Sequence, residues 1–259
     1  MAIEIDLSGK VVIVTGGARG VGRGIVTRFL DAGADVVFCG RNEPESLPEG
    51  GGKQAVFVAA DVRDVEEIDR LVTAATDRFG RLDVVVNNAG GAPPSDSATV
   101  SPRFNEAIVR LNLLAPMNLA QRANRVMQEQ EEGGVIINIA SISAIRPSPL
   151  TVAYAAAKAG LLAVTATLAV EWAPKVRTVA VTAGMVATEQ SDLYYGDDEG
   201  GDAAGATVPL RRLAVPSDIG DACVFLASPM ASYVSGSSLL VHGGGEAPSY
   251  LDAVEESKE

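Results

Sequence analysis

The chain has one histidine and two cysteines in 259 residues. His242 and the distant Cys39 and Cys223 supply no metal-ligand cluster, which argues against zinc, iron–sulfur and other thiolate–imidazole chemistry. Two cysteines also build no disulfide framework, and each reads as a small buried hydrophobe rather than half of a redox pair. Positive charge is scarce: 21 Lys+Arg stand against 33 Asp+Glu, a net charge of −12. Such an acidic body repels phosphate backbones and anionic bilayer surfaces, so neither nucleic acid nor membrane is expected as a partner. The opening residues Met1-Ala2-Ile3-Glu4-Ile5-Asp6 carry acids and lack the basic stretch of a secretion signal. The most apolar stretch, Ala153 to Val170, is interrupted by Lys158 and several threonines and reads as a buried helix rather than a membrane span. A cytoplasmic protein is expected. Hydrophobic residues at 47% against 21% charged exclude a disordered or collagen-like chain.

Short β-branched runs alternate with helical patterns. The strand candidates are Val11–Thr15, Asp35–Cys39, Ala55–Ala60, Asp83–Asn87, Val135–Ala140, Val176–Thr182 and Ser238–His242. Their near-continuous apolar character suits a parallel sheet covered on both faces. Helical periodicity fills Val21–Ala32, Val65–Phe79, Pro102–Gln130, Val152–Ala173 and Pro216–Ala227. This order predicts an α/β, Rossmann-like, doubly wound parallel sheet of about seven strands, in a single domain spanning 1–259. Residues Glu43 to Lys53, rich in Pro, Gly and Glu, read as a loop in place of a crossover helix. Residues 189–209, acidic and glycine-rich, read as a mobile substrate lid, and 246–259 as a frayed acidic tail.

Thr15-Gly16-Gly17-Ala18-Arg19-Gly20-Val21-Gly22 closes the first strand and opens the first helix. Glycines there permit a tight turn and close approach of a pyrophosphate, which the helix N-terminus attracts through unpaired N–H groups and its dipole. A strand-to-helix turn also needs glycine for steric reasons alone. The spacing G-x-x-x-G-x-G with a leading Thr, followed in order by Asn87-Asn88-Ala89-Gly90, Asn112, Ser141, Tyr154 and Lys158, resembles the short-chain dehydrogenase/reductase family in its shorter branch. The landmarks cover nearly the whole chain.

The resemblance implies a nicotinamide dinucleotide held by Gly16, Arg19, Gly20, Val21 and Gly22. Further along the chain it implies contacts from Asn88, Ala89 and Gly90, then from Gly184, Val186 and Thr188, the last two meeting the carboxamide. Asp61, with Val62, matches the residue that meets the adenine amino group; Asp64 is the better helix cap. The second strand ends Cys39-Gly40-Arg41-Asn42 without the acid that would bind a ribose diol. Arg41, with Arg19 closing over it, is placed to pair a 2′-phosphate, so NADP(H) is favoured and NAD(H) remains possible; a solvated surface arginine is the bland alternative.

Tyr154 and Lys158, four apart, share one helix face. An adjacent ammonium favours the phenolate and lowers the tyrosine pKa from its usual value of about 10. Ser141, thirteen residues earlier at a strand end, can hold a substrate oxygen near Tyr154; Ser143 competes for that role. Asn112 matches the family residue that holds a proton-relay water near Lys158, or is simply a buried amide bonded to backbone. The expected activity is hydride transfer between the cofactor and a ketone or secondary alcohol, such as a 3-oxoacyl thioester, steroid, cyclic ketone or sugar, with Tyr154 as general acid/base. A non-catalytic dinucleotide sensor on the same fold is the alternative, and an epimerase or dehydratase of the longer related branch a third.

Three positions depart from the family pattern. Ala183 stands where Pro precedes Gly184, which should loosen that turn. Val179 replaces an Asn, and His242 an Asp. Leu193, Tyr194 and Tyr195 are expected to cover an apolar substrate or to dock a short helix, while Arg146, Arg211 and Arg212 offset the acidity of the lid. The apolar 152–173 helix needs a partner beyond its sheet. The family resemblance implies a homotetramer, with a dimer paired through the 102–130 and 152–173 helices.

Overall fold

The protein is described by a computed structural model covering residues 5–191, 195–196 and 198–246. Runs of Val and Ile build β1 (Val11–Thr15), β2 (Asp35–Gly40), β5 (Val56–Ala59), β6 (Val84–Asn87), β7 (Gly134–Ser141), β8 (Val176–Ala183) and β9 (Ser238–Val241). They form one parallel sheet in the order β5-β2-β1-β6-β7-β8-β9. The chain steps from β1 outward to β2 and β5, then returns to place β6 on the other flank of β1. That reversal opens a crevice beyond the carboxyl ends of β1 and β6, where such sheets bind ligands.

Alternating side chains divide the core in two. Val12, Val14, Val84, Val86, Ile137 and Ile139 face α1 (Gly20–Asp31) and the last helix, Pro216–Ala227, here α7. Val11, Ile13, Val85 and Ile136 face α2 (Val65–Phe79) and α4 (Ala115–Glu129). α5 (Val152–Glu171) lies on this second side and buries Ala157, Leu161, Thr165 and Ala169. By length and composition alone α5 could cross a membrane; one face packs on β7 and β8. Its other face is open, with Val170 81% exposed. Cys39 and Cys223 are free, buried, and in different core layers.

Local chemistry sets the helix ends. Asp64 accepts from the Glu66 and Glu67 amides at the start of α2, and Gly80, at φ 76°, ends it. The helix expected over 102–130 is three pieces: α3 (Pro102–Val109), a π-helical turn Arg110–Leu114, and α4. The wider turn points Asn112 inward, where it is fully buried. Segment 43–53 is more than a loop: β3 (Glu49–Gly50) pairs antiparallel with β4 (Lys53–Gln54) and packs on α1. Part of the expected lid is helical, as α6 (Asp198–Thr207). Its small residues permit close packing; a Cβ on Gly205 would lie 3.2 Å from the Leu213 amide nitrogen. Leu193, Tyr194 and the tail beyond Glu246 lie outside the described residues.

Candidate active site

The crevice is a cleft of about 1240 Å³. Drug-sized ligand pockets commonly measure roughly 300–1,000 Å³, so this one has room for a dinucleotide and a second small molecule. Every cofactor and catalytic residue expected from the sequence lines it except Asn112.

At one end lies the glycine loop. Gly16 and Gly20 have φ of 67° and 52°, which a side chain would strain. A Cβ on Gly22 would lie 2.1 Å from the Gly16 carbonyl oxygen and 2.5 Å from Asn88 Nδ2. Asn88 Nδ2 donates to the Thr15 carbonyl at 2.9 Å, while Thr15 Oγ1 accepts from the Asn88 and Ala89 amides. The loop is thereby tied to the end of β6. These contacts leave a cradle shaped by absent side chains, at a helix start with no capping side chain from Arg19. Such a cradle fits a dinucleotide pyrophosphate. The Gly20 amide donates instead to Glu189 Oε2 at 3.1 Å.

Arg19 and Arg41 are exposed on the rim, and neither forms a salt bridge among the described residues. Asp61 is held by Arg63 through Nε and a terminal nitrogen, and that guanidinium keeps its carboxyl down at about 2 despite partial burial. Asp61 is thus ionised and oriented, with Val62 beside it in the wall.

The other end is built by β7, α5 and the turn after β8. Ser141 closes β7 and its Oγ accepts from the Ser143 amide at 3.2 Å. Ser143 Oγ bonds Ser148 at 3.0 Å, which occupies the competitor hydroxyl. Tyr154 faces the cleft from the first turns of α5, and Lys158 Nζ lies 5.6 Å from its ring centroid. Lys158 is buried and donates to the Ile139 carbonyl at 2.7 Å. Burial lowers its pKa to about 8, because desolvation disfavours the ammonium. Asn112 Oδ1 accepts from the Gly91 amide at 2.9 Å and its Nδ2 donates to the Gly91 and Ile108 carbonyls. It is therefore a buried amide bonded to backbone. A Cβ on Gly90 would lie 2.5 Å from Asn112 Oδ1 and 3.3 Å from Lys158 Nζ, so these three residues meet behind the cleft wall.

The turn after β8 is pinned in spite of Ala183. The Gly184 amide donates to the Val241 carbonyl at 2.9 Å, and Met185 and Ala187 bond Ala214 on either side of the Val186 bridge. A Cβ on Gly184 would lie 2.8 Å from His242 Cα, just past the end of β9. Val179 packs in the core with no exposed surface. Among the described residues no group of His, Cys, Asp or Glu could hold a metal ion.

Three contacts escape sequence reasoning. Glu189 reaches Gly20, Arg146 pairs with Glu246 at 2.5 Å, and Leu150 adopts φ 64° while its carbonyl accepts from the Ser95 amide. Each joins segments far apart in the chain. The Arg63–Asp61 clamp, by contrast, joins residues two apart.

A family model described as enoyl-(acyl carrier protein) reductase matches residues 16–246. The chain is 39% identical over 245 residues to an L-rhamnose 1-dehydrogenase (NAD(P)(+)) of Azotobacter vinelandii, covering 91% of this chain and 96% of that protein. It is 36% identical over 249 residues to 3beta-hydroxysteroid dehydrogenase 1 of Eggerthella lenta, covering 92% and 94%. The ligand-free structure of Thermoplasma acidophilum aldohexose dehydrogenase superposes with a TM-score of 0.86 at 27% identity, covering 93% of this chain and 96% of that one. With the parallel sheet and the glycine-lined cleft, these likenesses place the chain in the short-chain dehydrogenase/reductase family, as a nicotinamide-dependent oxidoreductase acting on CH–OH groups.

Proposed function

We propose that the chain interconverts a ketone and a secondary alcohol with NADP(H), using Tyr154 as general acid/base. The carrying observation is that Ser141, Tyr154 and Lys158 line the same cleft as the glycine loop. The nicotinamide cofactor supplies or accepts the hydride. Ser141 Oγ holds the substrate oxygen, and Tyr154 Oη gives it a proton in reduction or takes one in oxidation. The buried Lys158 ammonium favours the phenolate. Asn112 holds Gly91, and with it the wall behind Lys158, rather than touching substrate itself. Gly184, Val186 and Thr188 border the nicotinamide. Asp61 and Val62 border the adenine, and Arg41 and Arg19 clamp a 2′-phosphate.

The substrate we assign is a neutral, cyclic hydroxyl compound. The relatives are named for a sugar and a steroid, and this cleft adds hydroxyls from Ser143 and Ser148 to apolar Pro94 and Leu150. Residues 189–209 serve as its lid. A homotetramer in the cytoplasm accounts for the open α5 face and for the exposed Leu239 and Leu240 on β9.

Titrating the protein with NADPH and NADH, by nicotinamide and Trp172 emission, tests the cofactor, and turnover on a panel of cyclic ketones, sugars and alcohols tests the reaction. NADPH should bind more tightly. Tyr154→Phe should keep that affinity and lose about 10²–10⁴-fold in turnover, the usual worth of a general acid/base. Binding without turnover on any substrate would favour the sensor.

A further inference from the structure

Helices α2 and α3 receive their first-turn caps from the residue just before them, Asp64 and Ser101. α1, like α4 and α5, has no such cap: Arg19 caps nothing, and the first turn holds no acid. Its anionic partner comes from 169 residues away, as Glu189 Oε2 on the Gly20 amide at 3.1 Å. Thr188 rests on the same loop, its Cγ2 3.4 Å from where a Gly20 Cβ would lie. Glu189 also sits in a closed turn: the Thr188 amide donates to Ser191 Oγ at 2.7 Å, and the Ser191 amide returns to the Thr188 carbonyl at 3.0 Å. This turn begins the segment that leads to α6. Glu189 forms no salt bridge among the described residues.

A helix-start amide in a glycine cradle is a seat for one anion. A carboxylate and a pyrophosphate both carry negative charge and need the same N–H, so they exclude each other there. We propose that Glu189 is a latch: its carboxylate fills the cofactor's pyrophosphate seat in the free enzyme and holds the substrate-side segment against the glycine loop until the dinucleotide displaces it. The latch rests on the dinucleotide reading above. The observed affinity for the cofactor is then the intrinsic affinity reduced by the fraction of molecules with the seat open.

Glu189 is exposed, so Glu189→Gln removes its charge without disturbing the core. Isothermal titration of wild type and variant with NADPH, NADH and ADP-ribose should show about two- to fivefold tighter binding to the variant, by the same factor for all three, since Gln keeps an acceptor for the Gly20 amide and loses only the charge at the helix start. Adenosine, which has no phosphate, should bind both proteins equally. Glu43→Gln removes the same charge elsewhere on the cleft rim and should change ADP-ribose affinity less than twofold. Limited proteolysis of cofactor-free protein should cut the 188–209 segment faster in Glu189→Gln than in wild type. Unchanged or weaker binding to the variant overturns the latch, as does equal tightening by Glu43→Gln or for adenosine. If neither protein binds any of the three dinucleotide ligands, the dinucleotide reading falls and the latch with it; if both bind equally, only the latch falls.

Discussion

The two ends of the cleft are built differently. At the glycine-loop end, backbone lies close on backbone: Gly22 abuts the Gly16 carbonyl, new side chains are excluded by contacts as short as 2.1 Å, and the Asn88 and Thr15 side chains bond only to backbone. At the substrate end, side chains do the joining. Ser143 bonds Ser148, Arg146 pairs with Glu246, and Leu150 takes a backbone conformation that leucine normally avoids. On the reading proposed above, the glycine-loop end would be fixed by backbone contacts and the other end open to change residue by residue, as expected of sites grafted on a shared fold.

The comparison breaks most sharply at glycine. Gly22→Ala should lower dinucleotide affinity about 100-fold or more in fluorescence titration and cost about 1–3 kcal/mol in urea unfolding, as overpacking does. The same stability loss without an affinity loss would mean that the loop is structural only. Next in size is Lys158, where the two ends meet. Its folded pKa of about 8 lies below the ordinary lysine value of 10.5, so between those values the unfolded chain binds the proton more often. Stability therefore rises as pH climbs through this window and is lost as pH falls through about 8. Wild type should gain up to about 3 kcal/mol relative to Lys158→Met between pH 7 and 10.5; a flat difference would place the lysine in a wetter setting. Arg41→Ala should weaken NADPH about tenfold, in line with a charged hydrogen bond, and NADH less than twofold. Equal losses would remove the phosphate clamp. The smallest effect belongs to the substrate side: Gly201→Ala in α6, with nothing within 4 Å of the new methyl, should stabilise by about 0.5–1 kcal/mol and leave cofactor affinity alone.

Particular elements show how far local chemistry reaches. β1, α2 and α7 begin and end where the sequence predicts, because β-branched runs, the Asp64 cap, Gly80 and Pro216 act within a few residues. The break in the 102–130 helix has one local signal, Pro116, which has no N–H to donate to the Asn112 carbonyl four residues back. The bonding of Asn112 to Gly91, 21 residues earlier, is recorded by no local propensity. Within segment 189–209 the acids and glycines hide a helix: α6 forms at Asp198–Thr207, where a small residue, Gly205, allows close approach to Leu213. Nor does the local sequence at Ala183 record that β9 accepts the Gly184 amide through the Val241 carbonyl.

The sequence by itself determined the strand–helix alternation, the glycine turn after β1 and the shared helix face of Tyr154 and Lys158. Those follow from backbone sterics and from periods of two and 3.6 residues, which act over short range. Only the tertiary structure decided that Lys158 is dry enough to titrate near 8, that Asn112 is a backbone brace, and that Glu189 sits on Gly20. Desolvation and hydrogen-bond partners across 21 to 169 residues exist only once the chain has closed on itself.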